Sequence, residues 1–131
     1  MSKQFIYKVK IYYEDTDSGG VVYYANYLKY LERARSEAIY SLGLTNTKLI
    51  KDYGTIIIVK SCNIEYKKPA RFEDELEIIS SVLTKTKTSF TMKQIIKKDE
   101  EIISEAEVQL VTVNKDGKPV KIPEILEKFL N

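Results

Sequence analysis

Histidine is absent from this 131-residue chain. Its absence removes His-based triads, Cys–His pairs, His general bases and most catalytic zinc sites. Any chemistry must run on Asp, Glu, Lys, Tyr or backbone donors. Cysteine is nearly absent: Cys62 stands alone, so no internal disulfide can form, and a reducing compartment fits. No apolar run approaches the ~20 residues of a membrane span. The opening MSKQFIYKVK alternates and lacks the apolar core of a signal peptide, so the cytoplasm is the expected location. A strong net charge is missing too. With 21 basic and 19 acidic residues the balance is +2, too mild to expect nucleic acid as a partner. No linker, repeat or low-complexity tract interrupts the chain. What remains, 31% charged and 44% hydrophobic, suits one globular domain over 1–131 with a modest core.

The stretch Tyr12–Leu42 organises the rest. Its first half is an acidic elbow, Glu14-Asp15-Thr16-Asp17, followed by Ser18-Gly19-Gly20. Its second half has no Gly or Pro from Val21 to Leu42 and predicts a helix from about Tyr24 to Leu42. Tyr27, Leu31, Ala34 and Ala38 form the apolar stripe, widened by Tyr30, Ile39 and Leu42. Gly43 is a suitable stop. Carboxylates beside a glycine turn that feeds a long helix put acid/base groups near unsatisfied N–H donors, which is a reaction-site geometry. Six of the ten tyrosines fall between Tyr12 and Tyr30, as in an amphipathic wall around a pocket or interface.

The remaining pattern is mostly strand. Phe5, Tyr7, Val9, Ile11 and Tyr13 alternate and lead into the elbow. Thr45–Tyr53 predicts a short helix begun by Thr45 or Asn46 and closed by Gly54. Four strands follow: Ile56 to about Lys67, Leu76–Thr84, Ser89–Lys97 and Ile102–Val113. Pro123–Leu130 predicts a terminal helix with Pro123 in its first position. The fold class is therefore α+β, an antiparallel sheet of about five strands packed on one long helix. One helix cannot cover both faces of such a sheet, so self-association is expected.

The block EDTDSGGVVYYANYLKYLERAR resembles the signature of the 4-hydroxybenzoyl-CoA thioesterase family, and within it the small YbgC-type acyl-CoA thioesterases. The family pattern is an Asp, x-x-Gly, two apolar residues, an aromatic and an Asn/Ser-Tyr pair inside a helix. Asp17, Gly20, Val21, Val22, Tyr23, Asn26 and Tyr27 match it. A weaker similarity continues through Ser61–Ile78. The resemblance implies the hotdog fold: a long helix wrapped by a curved antiparallel sheet, in a homo-oligomer (dimer or tetramer) where two sheets join. It implies hydrolysis of an acyl- or aroyl-CoA to free acid and CoA without metal or cofactor. The carboxylate at Asp17 would be nucleophile or general base, and the backbone N–H of Tyr24 would hold the thioester oxygen. YbgC-type sequences commonly carry His where this chain has Tyr24, while other members have Tyr. A backbone donor survives that exchange.

Such chemistry needs no histidine. A thioester is electrophilic and its thiolate leaves readily, so one carboxylate and a preorganised oxyanion donor suffice. The competing use of Asp17 is helix capping. Asp15, sharing Asp17's face on an extended elbow, is expected to be structural, and Glu14 solvated. Gly20, Val22, Asn26 and Tyr27 are candidates to line the substrate. For Asn26 and Tyr27 the competing use is local hydrogen bonding and packing. Glu32 and Arg35 would pair within the helix or across a dimer, with the acyl pocket as the alternative. Cys62 reads as a small buried residue. Of the cations Lys67, Lys68, Arg71, Lys85 and Lys87, one or two would hold the phosphates of CoA, with Lys67, Arg71 and Lys87 as candidates. The rival to an enzyme is a non-catalytic module of this fold that binds acyl-CoA or an acyl-carrier protein.

Overall fold

The computed structural model describes residues 3–131. Strand β1 (Phe5–Lys10) leads through the elbow to helix α1 (Asn26–Tyr40) and helix α2 (Asn46–Tyr53). Strands β2 (Ile56–Tyr66), β3 (Glu75–Lys85), β4 (Ser89–Lys98) and β5 (Glu101–Val113) follow, and a 3-10 turn at Glu124–Leu126 runs into α3 (Glu127–Leu130). The five strands form one antiparallel sheet in the order β1-β3-β4-β5-β2.

Alternation decides which face meets α1. Leu76, Ile78, Ser80 and Val82 of β3 are buried, as are Phe90, Met92, Gln94 and Ile96 of β4 and Ala106, Val108, Leu110 and Thr112 of β5. Against them lie Tyr27, Tyr30, Leu31, Ala34, Ala38 and Ile39 of α1. Each such side chain contributes roughly 1.5–3 kcal/mol by leaving water. The other sheet face is only half-buried and carries Glu77, Lys93, Glu105 and Glu107. Phe129 of α3 closes the far end of the core, stacked 5.4 Å from Phe5 and edge-on 5.7 Å from Phe90.

Several boundaries differ from expectation. β1 stops at Lys10, and Tyr13 is not a strand residue but opens a 3-10 turn, Tyr13–Asp15, with its ring 3.9 Å from Phe72. The α-helix begins at Asn26, two residues after Tyr24, because residues 23–28 close with tighter i→i+3 bonds: Asn26 N–H to Tyr23, Tyr27 to Tyr24, Leu28 to Ala25. Pro123 precedes the last turn instead of occupying its first position. For α2 the expectation holds: the Thr45 hydroxyl accepts from Lys48 N–H at 3.0 Å, and Gly54 ends it.

The strand registers decide which loops share an end of the sheet. Lys10 pairs with Glu75, Lys98 with Glu101 and Tyr66 with Ser104, so the elbow, Lys67 and Arg71 lie at one end. The β3–β4 turn with Lys85 and Lys87 lies at the other. No helix among the described residues is long and apolar enough to cross a membrane.

Candidate active site

The elbow is a small hairpin. Thr16 bridges Val22 antiparallel, Asp17 N–H donates to Val21 at 2.9 Å, and Gly20 N–H donates back to Asp17 at 3.1 Å. This turn needs Gly20, whose φ is +78°. A Cβ at 19 would sit 3.3 Å from Asp17 Oδ1, so the carboxylate would have to give by a few tenths of an ångström. That oxygen accepts the Gly19 N–H at 2.8 Å. Asp17 is exposed, with one carboxylate oxygen anchored.

The hairpin is held from beneath. Val22 N–H donates to Ala70 at 2.8 Å, Phe72 N–H to Gly20 at 3.2 Å, and Val21 bridges Arg71. Ala70 N–H in turn donates to the Tyr27 hydroxyl at 3.1 Å. Burial raises the Tyr27 phenol above its usual range, partly offset by that bond. Asn26 gives its side-chain amide to the Asp15 carbonyl at 2.9 Å, and Tyr23 N–H donates to the same oxygen at 3.0 Å. These bonds tie the start of α1 to the elbow.

Asp15 does not share Asp17's face. The chain is coiled there, not extended, and the Asp15 carboxylate turns back to accept Tyr12 N–H at 2.8 Å. It also lies near the Tyr30 hydroxyl, which is buried and has no hydrogen-bond partner among the described residues. Burial first, and the Asp15 carboxylate second, push that phenol upward.

Between elbow and helix, the amides of Tyr24 and Ala25 donate to no acceptor among the described residues. Beside them Tyr66 stands edge-on to Tyr24, ring centres 6.0 Å apart, and 5.4 Å from Tyr27. Burial raises the Tyr66 phenol. The sequence did not single out Tyr66; it ends a strand whose pattern breaks before Lys67.

Of the expected lining residues, Gly20 lies on the elbow surface, whereas Val22 and Tyr27 are 5% and 3% exposed. They and Asn26 support the elbow from below in this chain. Asp17 and Tyr24 line none of the four principal cavities. Lys67 pairs with Glu105 at 3.4 Å and Glu65 at 3.9 Å, and Lys68 with Glu101 at 2.7 Å. Arg71 makes no side-chain ion pair among the described residues. Lys87 lies, by register, at the opposite end of the sheet from its own chain's elbow. Cys62 is half-buried and its thiol is pushed up by burial, with Arg35 pulling the other way. No group of three or more metal-ligating side chains gathers among the described residues.

Comparison with known proteins agrees with this architecture. The model of the thioesterase-like superfamily matches residues 12–130. The acyl-CoA thioester hydrolase YbgC of Escherichia coli O6:H1 is 36% identical over 121 residues, covering 91% of this chain and 90% of the relative. The crystal structure of a probable thioesterase from Bartonella henselae superposes with a TM-score of 0.87 at 31% identity, over 92% of this chain and 100% of that one. The 4-hydroxybenzoyl-CoA thioesterase of Pseudomonas sp. strain CBS-3, at 20% identity and TM-score 0.89, covers 96% of this chain and 99% of its own and shares the fold. The chain thus belongs to the thioesterase-like superfamily, in its YbgC-type branch, and is a thioester hydrolase on the hotdog fold.

Proposed function

We propose that the protein hydrolyses acyl-CoA, with Asp17 as the catalytic carboxylate and the Tyr24 amide as the oxyanion donor. One observation carries the reading: a carboxylate fixed on a glycine turn is hydrogen-bonded into the same hairpin that delivers two undonated amides to the start of α1. The thioester oxygen takes the Tyr24 N–H, and the Ala25 N–H stands ready beside it. The positive end of α1 stabilises the oxyanion that develops there, and a donor of this kind is worth about 3–4 kcal/mol. Asp17 either attacks the carbonyl carbon or takes a proton from the attacking water. The C–S bond then breaks and CoA leaves as thiolate; where Asp17 attacked, water hydrolyses the resulting mixed anhydride, and either route ends in free acid with the Asp17 carboxylate restored.

The site is open in one chain, and a second copy closes it. Among the described residues β2 pairs only with β5 and its other edge has no strand beside it, with Ile58 and Val59 43% and 48% exposed. Two such edges pairing antiparallel join the sheets and cover the Tyr24–Tyr66 corner. Among the described residues Arg71, the candidate at the elbow's end of the sheet, makes no ion pair that a phosphate would have to displace. Lys67 and Lys68 can exchange their exposed carboxylates for phosphate at little cost, because such surface pairs are worth about 0–1 kcal/mol.

The test is thiol release from a series of acyl- and aroyl-CoAs at steady state. Turnover at a rate well above the spontaneous one supports the reading. Stoichiometric binding of acyl-CoA without release of free CoA would instead make the protein a binding module.

A further inference from the structure

A cavity of about 150 Å³ lies between the second half of α1 and the sheet. Its floor is apolar, formed by Ile39, Ile57, Phe90, Met92 and Phe129. One wall is not. Arg35 borders it and donates to Gln94 Oε1 at 3.0 Å. Gln94 is fully buried in the sheet, and its other end is fixed by bonds of 3.0 Å to the Leu31 carbonyl and the Ser80 hydroxyl. The guanidinium is thus oriented by a neutral amide. Among the described residues no carboxylate lies within ion-pair distance of it. Glu32 shares the rim and acts on Arg35 only through space, while burial weakens its hold on its proton. A guanidinium partly drawn out of water, with its nearest carboxylate beyond ion-pair distance, gains from an anion that can reach its free donors. Its remaining donors form the planar fork that matches a carboxylate.

The cavity lies away from its own chain's elbow. Arg35 is nine residues beyond Asn26, roughly 14 Å along α1. Antiparallel pairing of two β2 edges about their midpoint sets Ile57 and Val59 of one chain beside the Tyr24–Tyr66 corner of a second copy. In such a dimer an acyl group held at the second copy's elbow would be aimed toward this cavity. The volume is comparable with one that accepts a benzene-sized group, so about four to six carbons fit.

We propose that the cavity receives the distal end of a short acyl group and that Arg35, held by Gln94, binds a carboxylate there. The preferred substrates are then short acyl thioesters bearing a second, terminal carboxylate. This rests on the thioester-hydrolase reading of the Asp17 elbow.

The test compares kcat/KM for glutaryl-CoA and pentanoyl-CoA, equal in chain length, in wild type, Arg35→Gln and Arg35→Lys, with melting temperature and oligomer mass recorded for each. Wild type should prefer glutaryl-CoA. Arg35→Gln should lower the glutaryl/pentanoyl ratio by about tenfold or more, with partial recovery in Arg35→Lys. Free glutarate should inhibit the wild type at lower concentration than pentanoate, a readout needing no variant to fold. A wild-type preference for pentanoyl-CoA overturns the inference. So does an Arg35→Gln effect on mass or melting that leaves the ratio unchanged, since Arg35 would then serve a subunit contact. Hydrolysis of neither thioester by a protein that turns over other acyl- or aroyl-CoAs overturns this inference alone, as does pentanoyl turnover indifferent to Arg35, whereas hydrolysis of none of the series overturns the underlying reading.

Discussion

Two neighbouring tyrosines on α1 show how differently the same hydroxyl can act. Tyr27 accepts the buried Ala70 amide, whereas Tyr30 is buried beside the Asp15 carboxylate with no hydrogen bond of good geometry among the described residues. Tyr27→Phe leaves a buried N–H unsatisfied and should cost about 1–3 kcal/mol in denaturant unfolding. Tyr30→Phe removes a hydroxyl whose nearest acceptor, the Asp15 carboxylate, is beyond good hydrogen-bond geometry, and should cost less than Tyr27→Phe by the same measurement. Cys62, raised by burial, should react with alkylating reagents at neutral pH more slowly than a free thiol, and faster as pH rises. Cys62→Ala should leave turnover within about twofold, since no histidine exists to activate the thiol. At this scale the sequence revealed the glycine turn that carries Asp17, because such a turn before a helix is a local pattern. It did not reveal what Asn26 and Tyr27 hold. Their partners, Asp15 and Ala70, are 11 and 43 residues away. Gln94 did leave a signal: it is the one polar residue in the buried series Phe90, Met92, Gln94, Ile96.

Among the elements, β2 carries the open question. It is an edge strand of 11 residues with exposed apolar side chains and a register shift between Val59 and Ser61. A lysine placed on such an edge opposes pairing with a second copy. Ile58→Lys should convert a dimer into a monomer by light scattering, keep the far-ultraviolet circular dichroism of the parent, and lose most turnover. A dimer that persists with full activity would remove β2 from the interface. The strands themselves were legible, since alternation in β3 and β5 assigns the same residues to the core that the structure buries. The end of β1 was not. Residues 11–15 mix aromatic and acidic side chains without helical or strand period, and the 3-10 turn there is fixed by the Asp15 cap.

For the molecule as a whole, buried phenols tie stability to pH. Tyr27 and Tyr30 are both raised in the folded chain relative to about 10 when unfolded. The folded state then binds protons that the unfolded state has released, so stability is intact below pH ~10 and falls as pH rises beyond it. Thermal melts between pH 8 and 11 should show that decline, and Tyr30→Phe should flatten it. Which loops meet at one end of the sheet was not legible, because that depends on strand register across the chain. Lys67 and Lys87 look alike in sequence and lie at opposite ends. The most direct test of the central claim is kcat/KM for acyl-CoA hydrolysis in Asp17→Asn beside Asp15→Asn, each with its melting temperature. Asp17→Asn should lose about 10²–10⁴-fold in activity at unchanged stability, while Asp15→Asn loses chiefly stability. An Asp17→Asn protein that hydrolyses as fast as wild type would contradict the account.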